Sequence, residues 1–528
     1  MSEERFVVTI PTTGEPALNF TQSDVRVAEL LNLDHELSDL RDLGSLAVWD
    51  QNTILPDGAG EVRGMQMATL QGLAHERGIN PRLEVLLGEL EAVVGGPEFT
   101  DADRALVRET RRAYDHNTKL PRGLVEEIAR AEAASFEAWR RAREHNDFAS
   151  FAPHLSHTIR LQREVADRYG YKETRYDALL DLYEPGMTAR SLDTLLPTVR
   201  DISINLLRRI EGSGVTVDEN CLEGTFPVDK QMALSNSILR RIGYDFSRGY
   251  SARSPHPFTQ GFGSPYDVRV TINPDEHHVQ ASIMAAIHEG GHALYEQGSS
   301  PALVRTSVAG GASLGLHESQ SRLWENAIGR SEAFWQGQFS AVREAFPEHF
   351  AGVDHATFAR ALNRVQPSLI RIEADEVTYN LHIIIRYELE KEMVNGDLAV
   401  ESLPGLWNAK YKEYLGIEPP TDAAGVLQDI HWSGGFGYFP TYTLGNLYGA
   451  QIYAALRREF ADFDSRLASG DTTFILAWLR EHMYVLGSTY QSGDLMKRLT
   501  GEVPNPDYFA RYLNDKFSAI YRLSPEVS

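Results

Sequence analysis

Two histidines and a glutamate within five residues have the types and spacing of a metal site. His288, Glu289 and His292 form the pattern His-Glu-x-x-His in a segment, NPDEHHVQASIMAAIHEGGHALYEQG, that is typical of a helix. Residues four apart lie on one face of a helix, so both imidazoles can bind a single Zn²⁺. The glutamate between them is displaced by about 100° around the helix axis and can act as a base toward water. The pattern therefore predicts metal-assisted hydrolysis.

A catalytic metal site also needs a third protein ligand and one open position. Glu318 lies 26 residues after His292 in a second helical segment, LGLHESQSRLWENAIG, and a returning helix can bring its carboxylate against the imidazoles. Glu325 follows on the same face, and we expect it to accept a hydrogen bond from a ligand histidine. Spacing alone leaves Glu318 in competition with other carboxylates. His277 and His278 have no partner at metal spacing, so we interpret them as non-ligands.

The helix that carries the histidines has recognisable start signals. Asn273 as N-cap, Pro274 in the first turn and Glu276 in a capping-box position predict that it begins at residue 274. Gly290 and Gly291 are unusual inside a helix and indicate that another backbone approaches closely there. Small residues share the histidine face and apolar residues lie opposite, so we expect one packed face and one face that lines a cleft.

The segment before this helix has a different period. Residues 266–272, YDVRVTI, alternate apolar side chains with a polar row that contains Asp267 and Arg269, which predicts a half-buried strand. Such a strand can line a cleft and pair with an extended peptide along its edge. A minor hairpin with a solvated face explains the pattern equally well.

The rest of the chain is predicted to be helical from about Val25 onward. No linker or internal repeat divides it, so we expect residues 25–528 to form a single helical domain and residues 1–24 to be an N-terminal extension. The fold class predicted is therefore mainly α, with one short strand segment.

The composition of the chain limits the classes of binding partner that we expect. Fifty-one basic and 74 acidic residues give a net charge of −23, which argues against nucleic acid and anionic membrane surfaces because both need a basic footprint. Cys221 is the one cysteine and cannot form an intramolecular disulfide. No uninterrupted apolar run is long enough for a membrane span, and no secretory signal is evident. We therefore expect a soluble, cytoplasmic protein.

Six motifs together resemble those of the carboxypeptidase Taq family of metallocarboxypeptidases. They are HPF, DVRVT, HEGGH, HESQ, IRIEAD and GVLQDIHW, at residues 256–258, 267–271, 288–292, 317–320, 370–375 and 425–432. The segment WDQNTILP at residues 49–56 also resembles the family's N-terminal region. The resemblance extends from about residue 25 to the C-terminus, without departures in the six motifs.

The resemblance implies a mainly helical, two-lobed metallopeptidase with a deep central groove. It implies a homodimer that releases single C-terminal residues from peptides with broad specificity. It further implies that His288, His292 and Glu318 are the metal ligands and that Glu289 is the general base. The metal implied is one Zn²⁺ per chain, with Co²⁺ as an alternative.

The segment HWSGGFGYFPTY contains donors for the substrate. By analogy with other groove-type helical metallopeptidases, His431 and Tyr442 would stabilise the oxyanion and Tyr438 would reach the substrate carboxylate. Aromatic packing under a glycine-rich loop is the alternative for either tyrosine.

A free α-carboxylate also calls for an arginine, whose planar guanidinium holds a carboxylate with two hydrogen bonds. The family motif indicates Arg371, with Arg269 as the second candidate and Asp267 as a further substrate-binding residue. Arg371 can instead pair with Asp375, four residues later.

Two other classes of function compete with a carboxypeptidase. An oligopeptidase or endopeptidase on the same scaffold has the same metal site. A non-catalytic peptide-binding protein does not need Glu289, and the presence of that residue argues against this class.

Overall fold

The computed structural model describes residues 18–524, which form two compact units that each contain three stretches of the chain. The first comprises residues 18–118, 219–362 and 452–504, and the second comprises residues 119–218, 363–451 and 505–524. Residues 1–17, most of the predicted extension, lie outside the described residues. Within its described part, Thr21 donates to Asp103 from its backbone nitrogen at 3.0 Å and from its hydroxyl at 2.5 Å. The division into an extension and a single domain stays a prediction.

The first unit is built mostly from helices. They are α1 (Val25–Thr53), α2 (Gly60–Gly78), α3 (Pro81–Glu91), α4 (Asp101–Lys119), α9 (Val228–Ile242), α10 (Val279–Gly298), α11 (Leu314–Arg322), α12 (Glu332–Ala345), α13 (His355–Ala361), α17 (Phe463–Ala468), α18 (Thr473–His482) and α19 (Ser492–Thr500). A π-helical turn, Leu323–Ile328, continues α11 directly.

The second unit is helical in the part that the structure describes. Its helices are α5 (Arg122–His145), α6 (Phe148–Tyr169), α7 (Arg175–Leu180), α8 (Ala189–Gly212), α14 (Tyr379–Asn395), α15 (Leu403–Leu415) and α20 (Asp507–Tyr521), together with the beginning of α16 (Pro440–Glu459). The prediction of a mainly α fold is confirmed. No helix between residues 18 and 524 is long and apolar enough to cross a membrane.

Local signals determine where several helices begin and end. Asp24 caps α1 by accepting from the backbone nitrogen of Arg26 at 2.9 Å. Asn146 ends α5 in the left-handed conformation, with φ of 53°, which a short polar side chain tolerates. Large aromatic side chains form part of the core of each unit. Trp324 and Trp335 are fully buried in the first unit, and Trp407 in the second.

The predicted strand lies in a three-stranded sheet in the first unit. β3 (Val268–Ile272) is the middle strand, parallel to β1 (Gly249–Arg253) on one side and antiparallel to β2 (Thr259–Gly261) on the other. Val268, Val270 and Ile272 are fully buried, as the alternation predicts. Both edges of β3 are hydrogen-bonded already, so the predicted pairing of this strand with a peptide is wrong. The hairpin alternative is confirmed in part, because β2 and β3 are consecutive antiparallel strands. Its solvated face is wrong, because the polar Thr271 is fully buried.

The predicted start of α10 is also wrong. The helix begins at Val279 with His278 as its N-cap, so Asn273 and Pro274 precede it. The segment before it is extended because its carbonyls accept hydrogen bonds from another strand-like segment: Gly224 donates to the carbonyl of His277 at 3.0 Å, and Phe226 donates to that of Glu276 at 2.8 Å.

The two glycines within α10 occupy close helix contacts, and the predicted approach of another backbone occurs at Gly291. A Cβ at Gly291 would lie 2.5 Å from the backbone oxygen of Gln320 in α11, and a Cβ at Gly290 would lie 2.6 Å from the Ile242 side chain in α9. On the opposite side from the histidines, Ile283, Ile287 and Leu294 are fully buried. Glycine at residue 291 therefore sets how closely α10 and α11 approach.

Candidate active site

The structure brings His288, His292 and Glu318 together on two packed helices of the first unit. The Oε2 atom of Glu318 lies 3.7 Å from Nε2 of His288 and 3.5 Å from Nε2 of His292. One donor atom from each residue lies within 4.8 Å of the others. We call these three residues the metal cluster. Donors at about 2.0–2.1 Å from a tetrahedral Zn²⁺ lie about 3.3 Å apart, so the donor set and its spacing fit one such ion.

The second oxygen of Glu318 is held away from the histidines. Arg322, one turn later on α11, donates from Nε to Oε1 of Glu318 at 2.7 Å. Ser321 donates to Oε2 at 3.1 Å. Burial alone would raise the pKa of Glu318, but the charges of Arg322 and His288 hold that pKa well below its usual range. Glu318 is therefore a carboxylate with one oxygen directed at the imidazoles. The sequence carried a signal for Arg322, since it lies four residues after Glu318.

Glu325 lies beside His288, in the contact that the sequence predicts. His288 Nδ1 lies 2.8 Å from Glu325 Oε2, and Arg322 and Arg330 hold the same carboxylate at 3.1 and 3.3 Å. Glu325 belongs to the π-helical turn, a form that is frequent at functional sites. An acceptor at Nδ1 leaves Nε2 of His288 free to face the other donors of the metal cluster.

The two histidines differ in charge preference. Burial lowers the pKa of His292 to about 4, which favours the neutral imidazole that binds metals. Burial acts on His288 in the same direction, but the carboxylates of Glu318 and Glu325 outweigh it and raise the pKa of His288.

Glu289, the predicted base, is buried and held by one hydroxyl. Thr259 on β2 donates to Oε2 of Glu289 at 2.7 Å and lies 2.9 Å from its backbone oxygen. Burial raises the pKa of Glu289 above its ordinary value, opposed by His288 and by this hydrogen bond. The spacing of the sequence gave no signal for Thr259, which lies thirty residues earlier.

The two other histidines near this helix lie apart from the metal cluster. His277 and His278 are exposed, and His278 Nδ1 lies 3.2 Å from the carboxylate of Asp275. Arg269 and Asp267, in the same unit, pair with each other through two hydrogen bonds of 2.9 and 2.8 Å. The Arg269 guanidinium also lies 4.8 Å from the ring of Trp49, so this arginine is held by a carboxylate and an aromatic face.

Arg371 lies in the second unit and pairs with Asp429, not with Asp375. Its Nε and Nη2 atoms donate to Asp429 at 3.2 and 3.0 Å. The suggested partner Asp375 instead accepts from the backbone nitrogens of Val377 and Thr378. The rule for residues four apart fails here because Arg371–Glu373 is a 3₁₀ turn and not part of an α-helix.

Asp429 accepts hydrogen bonds from two arginines, Arg371 and Arg386. Arg386 is completely buried and donates to Asp429 from Nε at 2.6 Å. Burial alone would raise the pKa of Asp429, but the charges of Arg386 and Arg371 outweigh it and hold that pKa well below its usual range. His431 lies near the same carboxylate, with Nδ1 3.9 Å from its Oδ1. We call Arg371, Arg386, Asp429 and His431 the Asp429 cluster. The sequence placed Asp429 in a motif but gave no signal for its role.

The aromatic candidates lie next to the Asp429 cluster. The ring of His431 lies 5.6 Å from that of Tyr438 and 6.5 Å from that of Tyr442, and the two tyrosine rings are 5.2 Å apart. Tyr442 also lies under Arg371, whose guanidinium is 5.0 Å from the ring centre. Burial lowers the pKa of His431 to about 4, so the neutral ring is favoured at neutral pH.

A buried glutamate holds the loop between His431 and Tyr438. Glu390 on α14 accepts from Trp432 Nε1 at 3.0 Å and from the backbone nitrogen of Gly437. It also accepts from the hydroxyl of Tyr176 at 3.1 Å. Burial raises the pKa of Glu390 to about 7, opposed by these hydrogen bonds.

This arrangement is that of a metallopeptidase. Two histidines lie one turn apart on one helix, a buried glutamate lies between them in the sequence, and a second helix supplies a carboxylate. The chain belongs to the carboxypeptidase Taq (M32) metallopeptidase family, whose sequence model matches residues 29–517. It is thus a metallocarboxypeptidase, a peptide hydrolase of that family.

Characterised relatives match the chain over nearly its full length. It is 42% identical to thermostable carboxypeptidase 1 of Thermus thermophilus over 509 residues, covering 93% of this chain and 98% of the relative. Carboxypeptidase 1 of Bacillus subtilis is 38% identical over 496 residues, covering 94% and 98%. The crystal structure of the M32 carboxypeptidase from Deinococcus radiodurans superposes with a TM-score of 0.90 at 36% identity, covering 95% of this chain and 100% of that one.

Proposed function

We propose that this metallocarboxypeptidase removes single residues from the C-termini of peptides with broad specificity, using one Zn²⁺ bound by His288, His292 and Glu318. The observation that carries the proposal is the convergence of these three donor atoms in a chain of a carboxypeptidase family. Co²⁺ is the alternative metal. Metal analysis of the purified protein identifies the bound ion, because two imidazoles and a carboxylate also bind other divalent ions.

Bound Zn²⁺ would supply Lewis acidity and lower the pKa of a coordinated water toward about 7. Glu289 takes a proton from the attacking water and returns it to the leaving nitrogen. The hydrogen bond from Thr259 supports this role, because it fixes the orientation of the carboxylate before substrate arrives. Burial of Glu289 supports it as well, since a raised pKa makes the carboxylate a stronger base.

Arg371 is proposed to bind the α-carboxylate of the substrate. A guanidinium has five N–H donors, and Asp429 and Tyr379 use three of them on Arg371. One N–H on each terminal nitrogen is left, and such a pair can hold a second carboxylate. Arg269 and Asp267 remain the other candidates for substrate binding. His431 and Tyr442 are proposed to donate to the oxyanion, and Tyr438 to the substrate carboxylate.

Mass spectrometry of a mixed peptide set, digested with and without a chelator, tests the proposal. Each peptide is supplied as a free acid and as a C-terminal amide. We expect ladders of single-residue losses from the free acids, weak cleavage of the amides, and no cleavage with chelator. Internal cleavage of the amides at a comparable rate would establish the endopeptidase alternative instead.

Assembly and location complete the proposal. The resemblance to the family supports a homodimer, and the single cysteine is compatible with a cytoplasmic location. Light scattering behind a sizing column should give the molar mass of two chains, and the mass of one chain would contradict the dimer.

A further inference from the structure

His292 is connected to a second histidine that the proposed function does not use. Its Nδ1 lies 2.6 Å from Nδ1 of His317, at the start of the HESQ motif. The other nitrogen of His317, Nε2, lies 2.8 Å from Oε1 of Glu296. The result is a linear chain of hydrogen bonds from a carboxylate, through one imidazole, to the imidazole of a proposed metal ligand.

The chemistry of these groups determines which atom donates in each of the two hydrogen bonds. An ionised carboxylate only accepts, so Glu296 requires a proton on Nε2 of His317. In neutral His317 the Nδ1 atom is then an acceptor, and His292 must donate to it from its own Nδ1. This tautomer of His292 leaves the Nε2 lone pair unprotonated, and Nε2 is the atom that faces Glu318. The opposite tautomer would place a proton on Nε2, where a metal could not bind.

Two glycines of the surrounding backbone leave room for the side chains of Glu296 and His317. A Cβ at Gly261 would lie 2.8 Å from Oε2 of Glu296, and a Cβ at Gly311 would lie 2.8 Å from Cδ2 of His317. Larger residues at either position would displace one of the two side chains. Both remain largely covered, with 13% of the Glu296 side chain and 22% of the His317 side chain exposed.

The two ligand histidines are therefore held differently. At Nδ1, His288 contacts the carboxylate of Glu325 directly, whereas His292 contacts His317, which in turn contacts the carboxylate of Glu296. Loss of His317 would leave the Nδ1 proton of His292 without this acceptor, and either tautomer could then form.

We propose that His317 and Glu296 are positioning residues that fix the tautomer and ring orientation of His292 and thereby set the affinity for the metal. The inference rests on the proposed metal site and extends it to residues that make no contact with the ion. Outer partners of ligand histidines typically change metal affinity by about 10- to 100-fold.

Calorimetric titration of Zn²⁺ into metal-free, full-length protein tests the inference without an activity measurement. His317→Phe keeps a ring of similar size but removes both nitrogens, so affinity should fall by about 10- to 100-fold. His317→Asn places an amide oxygen close to the position of Nδ1 and should recover part of that loss. His277→Phe makes the same change at an exposed histidine and should bind Zn²⁺ like the unaltered protein. Glu296→Gln, which replaces a pure acceptor with a group that also donates, should lose about tenfold.

The outcomes separate this inference from the proposed function. If the unaltered protein binds one Zn²⁺ and both His317→Phe and Glu296→Gln bind it equally well, the positioning role is wrong and the metal site stands. If the unaltered protein binds no Zn²⁺, both proposals fail together. Should His317→Phe not fold, as judged by circular dichroism, Glu296→Gln against the matched exposed change Glu276→Gln decides the question.

Discussion

The metal cluster and the Asp429 cluster are both marked by sequence motifs, yet their geometry depends on different ranges of the chain. In the metal cluster, His288 and His292 share one turn of α10, so their spacing alone determines that they face the same way. In the Asp429 cluster, the partners of the aspartate lie 43 and 58 residues away along the chain. Local rules therefore predict that the two histidines face the same way. They fail in the Asp429 cluster, where they offered Asp375 as the alternative partner of Arg371.

The strongest test of the metal cluster removes its base without disturbing its ligands. In Glu289→Gln the side chain keeps its shape but cannot take a proton, so turnover should fall by about 10²–10⁴-fold while Zn²⁺ content stays at one per chain. Steady-state kinetics with metal analysis on the same samples measures both. The exposed Glu276→Gln serves as the matched change, and near-normal turnover of Glu289→Gln would show that another group is the base.

The next prediction asks which arginine binds the substrate terminus. Arg371→Ala should reduce kcat/KM for free-acid peptides by roughly 30-fold, equivalent to about 2 kcal/mol, and should hardly change the weak cleavage of amides. Arg269→Ala should leave the preference for free acids over amides intact.

Metal content and thermal melts serve as controls for both variants. Asp429 keeps Arg386 as a partner in Arg371→Ala, so we expect this variant to fold. If the preference for free acids is lost only in Arg269→Ala, the assignment is reversed. If it survives in both, the carboxylate is bound elsewhere, with Tyr438 and His431 as the first candidates.

A smaller effect should reveal how α10 and α11 position the metal cluster. Gly291→Ala places a Cβ against the backbone of Gln320 and Ser321, which cannot move aside as a side-chain tip can. We expect a loss of about 1–3 kcal/mol in the free energy of unfolding, measured by urea denaturation, together with weaker Zn²⁺ binding. Gly88→Ala in α3 meets nothing within 4 Å and should stabilise by about 0.4–1 kcal/mol. Equal effects of the two changes would contradict a close contact at Gly291.

The last prediction concerns the loop next to the Asp429 cluster. Burial raises the pKa of Glu390 to about 7 from an ordinary value of 4.5, so the folded protein binds this proton more tightly than the unfolded chain. On account of this group, the free energy of unfolding therefore decreases as the pH rises from 4.5 to 7, by up to about 1 kcal/mol per pH unit.

Glu390→Gln removes that titration. Denaturation across this pH range should show the stability of the variant rising relative to the unaltered protein as pH increases. The exposed Glu413→Gln should track the unaltered protein at every pH. A difference between Glu390→Gln and the unaltered protein that is constant with pH would contradict the raised pKa.

Much of this architecture could be predicted because its causes are local. Periodicity and caps gave the helical class, and the pattern around His288 gave the face of α10 and the packing of its glycines. The start of α10 was missed because residues 276 and 277 accept hydrogen bonds from residues 224 and 226, far away in sequence. The position of β3 between two strands, the hydroxyl of Thr259 on Glu289 and the His317–Glu296 pair also arise from tertiary contacts. Residue spacing does not encode such contacts.

The central claim is that Glu318 completes a metal site with His288 and His292. The most direct measurement is the Zn²⁺ stoichiometry and affinity of metal-free Glu318→Ala beside the unaltered protein and the exposed Glu344→Ala. The account predicts one tightly bound Zn²⁺ per chain in the unaltered protein and in Glu344→Ala, and a sharp loss of affinity in Glu318→Ala. Retention of one tightly bound Zn²⁺ in Glu318→Ala would contradict it.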